Sequence, residues 1–565
     1  MEKMDEQPNL REFLNEVSSF QEEAAAHPAA KAAGPAAGSI GHVVEIAGSG
    51  SQVHLDAAAV TALQSHKDLS IAMSGQVGSQ IKTVVGNSWL IANVRTLRAG
   101  EAGELVAHVD FLGEGNRDST GAMTNFRRGV TRYPIPGAGV LPVSTEDMRA
   151  IFAASDEPHI EIGTVYPTDD IRGALYVDPM LGKHFAVLGS TGTGKSTSVS
   201  LILHRISQLS PEGHIVMIDP HGEYSAAFKG CGELFNVDNL QLPYWLMNFE
   251  EHCEVLLTTH GSERQRDADI LAKCLLAART KGKDLSQLGK VTVDSPIPYL
   301  LTDLAGIISN EMGKLDRAGD TLPFQRLKTK LEELRSDPRY TFMFSGMLVS
   351  DTMGNFIARL FRLPSQGRPI SIVDVSGVPS EITSVVVSVL ARMVFDYAIW
   401  SRTEAQRPLL LVCEEAHRYV PKDENAENGQ AVRKILERIA KEGRKYGVSL
   451  GLITQRPSDL AEGVLSQCGT IIAMRLNNDR DQACVRAAMP EGARGFLDAI
   501  PALRNRECIV CGEGVAIPIR VRFDDLEPEK RPASSDPSFA RLWRETGDEQ
   551  GIITRTIKRW RGHGR

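Results

Sequence analysis

The chain has 565 residues, room for about three or four folded units with buried cores. Apolar residues make up 42% and charged residues 24%, an ordinary globular composition that excludes fibrous and disordered classes. With 63 Lys and Arg against 71 Asp and Glu the net charge is −8, which excludes a uniformly basic nucleic-acid coat but not a locally basic channel.

The opening MEKMDEQPNL is acidic where a secretory signal needs a basic and then an apolar run, so a cytoplasmic chain is expected. Residues 1–38 read as a flexible segment. A short amphipathic helix (Leu10, Phe13, Leu14, Val17, Phe20) is followed by the linker EEAAAHPAAKAAGPAAG. Over 39–168, short alternating runs such as QVHLD, QIKTVV and ELVAHVDFLG are separated by glycine-containing turns, which predicts a small β-barrel or sandwich.

From 169 the pattern becomes strand–helix–strand. Continuous apolar strands are expected at 184–189, 214–219, 370–375, 408–414, 448–454 and 470–476. Strands apolar on both faces with helices between them predict a parallel sheet covered on each side, an α/β core in two parts, 169–244 and 348–525. Between those parts, 245–347 has helical periodicity and is too long for a loop, so it reads as an inserted helical subdomain. The most membrane-like segment, Val385–Trp400, is broken by Arg392 and Asp396 and reads as a buried helix. A hairpin is expected in ECIVCGEGVAIPIRVRF, and 526–565 forms a basic tail. The eight cysteines are too few and scattered for a disulfide framework. Cys508 and Cys511 lack the further ligands that structural zinc needs, and read as packing.

The strongest chemical signal is GSTGTGKST: Gly189, Ser190, Thr191, Gly192, Thr193, Gly194, Lys195, Ser196 and Thr197. An apolar strand leads in and a helix leads out, the setting in which backbone amides and a helix N-terminus cradle phosphate. Lys195 would reach the β- and γ-phosphates of ATP, and the Ser196 hydroxyl would ligate Mg²⁺. PLLLVCEEAH supplies the acidic strand end that such a loop requires. Glu414 is assigned to the metal and Glu415 to the attacking water as general base. Thr454 and Gln455 end another strand where a polar side chain would meet the γ-phosphate. Downstream of the acidic pair, Arg438, Arg444 and Lys445 are candidates for the cation that neutralises the leaving phosphate.

Taken together, GSTGTGKST, IDPHGEY (218–224), LPYWLMNFE (242–250), EEAHRYVP (414–421), KEGRKYGVSL (441–450), TQRPSDL (454–460) and RLNNDRDQ (475–482) resemble the HerA family of hexameric ATPases in its bacterial form. That family belongs to the HerA/FtsK group of RecA-like P-loop motors. The resemblance implies an N-terminal HAS-barrel, a helical bundle inserted in the RecA-like core, and a C-terminal segment bracing neighbouring subunits. Residue by residue, it implies Glu415 as catalytic carboxylate, Gln455 as γ-phosphate sensor and Arg444 as an arginine acting on a neighbour's nucleotide. Asp219, His221 and Glu223 would line the active site, and Lys183 would be a further basic group near an intersubunit nucleotide. The family usually has aspartate where this chain has Glu414.

The activity implied is ATP hydrolysis coupled to translocation of double-stranded DNA by a homohexamer. Its implied partner is a nuclease such as NurA, or a sirtuin-like NAD-consuming effector, docked on the barrel, in DNA end processing or antiphage defence. The other class of function that fits is a nucleotide-gated ring scaffold that assembles and activates such an effector with little translocation. The polar stretch PKDENAENGQ is a candidate pore loop, although its acidic residues argue against a simple phosphate grip. The basic end TIKRWRGHGR would contact DNA phosphates or a neighbouring subunit.

Overall fold

Alternating segments early in the chain and continuous apolar ones later dictate two different kinds of sheet. The computed structural model describes residues 38–100, 104–284, 289–315, 318–345, 350–423, 429–489, 493–533, 538–545 and 547–561. It divides into two compact units between Ile151 and Phe152. The amphipathic helix expected near the N-terminus, the centre of the candidate pore loop (424–428) and the last four residues lie outside the described residues.

The first unit is a closed antiparallel barrel. Its strands run in the order Gly50–Asp56, Gly41–Ile46, Gly139–Pro142, Gln80–Val85, Ser88–Ala99 and Glu104–Arg117, and the last pairs back onto Gly50–Asp56. Closure leaves no open edge within the ring, and Met123–Arg128 hangs on Glu104–Arg117 outside it. Register shifts between Ile91 and Ala92 and between Val94 and Thr96 supply the local twist that lets the two longest strands bend. Alternate residues point inward, so Val53, Leu55, Val94, Ala107 and Val109 fill the interior.

The second unit is built on an eleven-stranded sheet. Seven parallel strands lie in the order Gly232–Phe235, Ile370–Asp374, Ile215–Asp219, Leu409–Cys413, Val448–Thr454, Phe185–Leu188 and Thr470–Met474. The central ones are buried along their whole length, as continuous apolar runs require. The antiparallel extension Glu507–Gly512, Ile519–Phe523, His159–Val165 and Arg172–Tyr176 completes the sheet. Cys508 and Cys511 are buried there, opposite Met474 and Ile471.

Here the boundary read from sequence changes. His159–Val165 falls within the span 39–168 assigned to the barrel, yet it hydrogen-bonds to Ile519–Phe523 in the second unit. The physical reason is that an alternating strand in the antiparallel extension has the same period as a barrel strand, so the pattern does not name its partner.

The segment inserted after the first part of this sheet contains helices Phe249–Leu256, Gly261–Thr280, Leu301–Met312 and Ala318–Ser336. Asn248 and Glu251 form a reciprocal capping box on the first of these. The buried Glu251 carboxylate then accepts hydrogen bonds from Ser388 at 2.8 Å and Arg392 at 2.8 Å. Both donors sit on the long helix Ser380–Trp400, so one cap also fastens the insertion to the core. By length and composition that long helix could cross a membrane, but 67% of its most apolar stretch is buried inside the fold.

His252, fully buried on the same short helix, donates from Nδ1 to the Asn248 carbonyl at 2.7 Å and accepts at Nε2 from the Tyr299 hydroxyl at 2.9 Å. Burial, reinforced by Arg279, depresses its pKa to about 3. The unfolded chain takes up this proton near pH 6.5 and the folded chain does not, so stability is lost as pH falls below that value. Thermal or urea unfolding is expected to show a loss of about 2 kcal/mol from this group between pH 7.5 and pH 5, and His252→Gln to flatten that part of the pH slope.

Candidate active site

Parallel strands present their C-terminal ends on one edge of the sheet, the edge where open α/β folds place their ligands. The phosphate loop lies on that edge between Phe185–Leu188 and the helix Lys195–Leu209. The Gly189 amide donates to the Thr454 carbonyl at 3.3 Å, the Ser190 amide to the Arg475 carbonyl at 3.0 Å, and the Thr193 hydroxyl to the Ser190 carbonyl at 2.8 Å. These bonds tie the loop to both flanking strands. Gly194 caps the helix in the left-handed region (φ 93°) with no side-chain acceptor. The first helical amides therefore remain available to an anion.

Leu409–Cys413 delivers the two carboxylates. Glu414 and Glu415 are 4% and 5% exposed, and Lys195, only 8% exposed, sets its Nζ 3.6 Å from Glu414 Oε1. Glu414 Oε2 accepts a hydrogen bond from the Tyr224 hydroxyl at 3.0 Å. Burial pushes the Glu414 pKa up to about 7; Lys195 pulls it back while Glu415 adds to the rise. Ser196 follows Lys195 in the first turn of the loop's helix and is among the groups that act on the Tyr224 hydroxyl. Ser196, next to Lys195 in the chain, and Glu414, whose carboxylate lies beside the Lys195 ammonium, offer a hydroxyl and a carboxylate, hard-oxygen donors of the kind that suits Mg²⁺.

Glu415 stands in the left-handed region (φ 52°), which turns its side chain away from the strand line. Its Oε2 is buried without a hydrogen-bond donor, 3.3 Å from His417 Nδ1, and its Oε1 lies 3.9 Å from His221 Nε2. A buried carboxylate oxygen left without a donor can accept a proton from a bound water. His417 Nδ1 also lies 2.9 Å from the Thr454 hydroxyl, which links the acidic pair to the neighbouring strand end.

Gln455 follows Thr454, and Thr454 is in register with Leu188 at the start of the loop. The Thr191 hydroxyl donates directly to Gln455 Oε1. Thr197 is half-buried in the first turn of the loop's helix. Asp219 is fully buried, and its carboxylate is consumed by the backbone amides of His221, Gly222 and Tyr224 at 2.9–3.1 Å. It organises a turn rather than facing the site. His221 does face it, and the Glu223 carbonyl accepts from Ala533.

Arg444 and Lys183 are not brought to this site. Arg444 is exposed in the turn Gly443–Tyr446, before Val448–Thr454 begins, roughly 20 Å along the strand from Gln455. Lys183 precedes Phe185–Leu188 and pairs with Glu513 at 2.8 Å. Both cations therefore stand on the opposite edge of the sheet from the loop in their own chain. Tyr224 was missed from sequence although it closes the motif IDPHGEY: its bond to Glu414 spans 190 positions, and no local pattern carries it.

A strand–loop–helix phosphate cradle with a lysine, a buried acidic pair on a nearby strand and a polar side chain touching the loop defines a P-loop ATPase. The family model described as "Helicase HerA, central domain" matches residues 160–394. A relative from Pyrococcus furiosus, "DNA double-strand break repair helicase HerA", is 26% identical, with 81% of this chain and 83% of that protein covered. One of the same description from Sulfolobus acidocaldarius is 25% identical over 76% of this chain and 80% of its own. Among solved structures, VirB4 of Thermoanaerobacter pseudethanolicus aligns at TM-score 0.48 and 15% identity, covering 67% of this chain and 99% of its own. Over its central region and most of its length, this chain is therefore similar to the HerA family of ATPases.

Tyr224→Phe keeps the ring in the core and removes one donor from Glu414. Steady-state ATP hydrolysis at pH 7.5 is expected to fall about tenfold. Unchanged turnover would show that the phenol has no part in the site.

Proposed function

We propose that the chain is an ATP-driven translocase on double-stranded DNA, working in the cytoplasm as a homohexameric ring with a partner docked on its barrel. The observation that carries the reading is the split of the machinery. The loop, acidic pair and Gln455 share one edge of the sheet, while Arg444 and Lys183 stand on the other. One chain holds a cradle it does not complete, and a ring of like subunits would supply the missing cations. The described C-terminal helix Glu549–Arg561 buries no side chain against its own chain and leaves Ile552 and Trp560 exposed, which supports a brace between neighbours.

In this reading the loop amides and Lys195 hold the β- and γ-phosphates. Ser196 and Glu414 would hold Mg²⁺, which when bound neutralises charge on the phosphate oxygens. Glu415 Oε2 takes the proton of the attacking water as its oxygen bonds to the γ-phosphorus, and ADP leaves with the bridging oxygen. His417 Nδ1 stands between that carboxylate and the Thr454 hydroxyl. Gln455 meets the γ-phosphate, and a neighbour's Arg444 stabilises the charge that develops on the leaving group. His221 lines the entrance. The relatives described as DNA double-strand break repair helicases support DNA as the track. A nuclease or an NAD-consuming effector is the class of partner this reading expects, in DNA end processing or antiphage defence.

ATP turnover measured with and without linear duplex DNA tests the motor. Strong stimulation, abolished in Glu415→Gln, is expected; slow turnover indifferent to DNA would favour a nucleotide-gated scaffold for an effector. The shared site has its own test. Lys195→Ala and Arg444→Ala should each be inactive alone, and mixing them should restore part of the turnover, since some interfaces then pair an intact loop with an intact arginine.

A further inference from the structure

Arg506 is marked by no motif. It precedes the strand Glu507–Gly512, and its backbone lies in the left-handed region at φ 65°, which glycine adopts freely and arginine does not. Its amide donates to the Thr193 carbonyl at 2.8 Å. Its Cγ lies 2.9 Å from where a Cβ on Gly194 would stand, so the side-chain stem is laid on the phosphate loop next to Lys195. Any residue but proline could make the backbone bond, and glycine would make it without strain. The guanidinium is the part of Arg506 that this bond leaves unexplained.

That guanidinium pairs with Asp525, whose side chain is 73% exposed, and Arg531 approaches the same carboxylate at 3.9 Å. Two arginines on one exposed carboxylate leave surplus positive charge beside the loop, and an exposed pair is readily exchanged. Strand order fixes which end of a nucleotide this charge meets. The strands carrying Glu414 and Gln455 lie on one side of Phe185–Leu188, and Glu507–Gly512 lies on the other, beyond Thr470–Met474. Arg506 therefore faces the end of the nucleotide away from the γ-phosphate machinery.

We propose that Arg506 is a nucleotide-binding residue supplied by the same chain, its guanidinium engaging the α-phosphate shared by ATP and ADP. This rests on the reading of Gly189–Thr197 as the phosphate loop. Isothermal titration of the full chain with ADP, and with the β,γ-imido analogue of ATP, tests it. Arg506→Gly keeps the backbone shape and donor, and is expected to weaken both ligands about tenfold and by the same factor. Asp525→Asn releases the guanidinium and is expected to tighten both about twofold, a gain that misfolding does not mimic. Unchanged affinity in Arg506→Gly, a loss confined to the imido analogue, or no tightening in Asp525→Asn would overturn the proposal. Lys195→Ala run alongside separates the failures. If it binds both ligands normally, the phosphate-loop reading itself falls; if it alone loses affinity, only Arg506 does.

Discussion

Two adjacent carboxylates held out of water at the end of one strand are the constraint around which this core is arranged. A buried carboxylate without a counter-charge or donor is costly, and two side by side raise the cost through mutual repulsion. Lys195 answers part of it by lying 3.6 Å from Glu414, and Tyr224 answers another part through its hydroxyl. Tyr224 reaches that place because Asp219 spends its own carboxylate on the turn before it, and because Ile215–Asp219 pairs directly with Leu409–Cys413. The strand order, the turn and the buried phenol are answers to one electrostatic demand.

The same demand gives meaning to glutamate rather than aspartate at 414. An aspartate carboxylate would end about 1.5 Å short, one C–C bond, and would lose the reach that spans Lys195 on one oxygen and Tyr224 on the other. The longer side chain is accommodated at 4% exposure.

What could be read in the sequence was local. The phosphate loop, the acidic pair and the core strands declare themselves because a few consecutive residues carry both the motif and its secondary structure. The strand His159–Val165 reads as part of the barrel because alternation specifies a face and not a partner. Asp219 was legible as a site neighbour, but not as a turn carboxylate, since the groups it accepts from are the backbone amides of His221, Gly222 and Tyr224, which carry no side-chain signal. His417 stood in plain view beside the acidic pair. Its contact with Thr454, 37 positions on, depends on two strands being adjacent, which only the sheet order states.

Phe185–Leu188 and Val448–Thr454 are hydrogen-bonded neighbours in parallel register, Phe185 against Gly451 and Leu188 against Thr454. One end of this pair carries the phosphate loop and Gln455, and the other carries Lys183 and Arg444. Both strands are buried in the middle of the sheet, where close packing leaves little room for bending. The pair is therefore a short stiff rod with the phosphate loop and Gln455 at one tip and two cations at the other. A displacement of the first tip moves the cationic tip as well. In the ring proposed above, each subunit would then be a mechanical link, passing the state of its own nucleotide forward to the next by a push rather than by a chain of side-chain contacts.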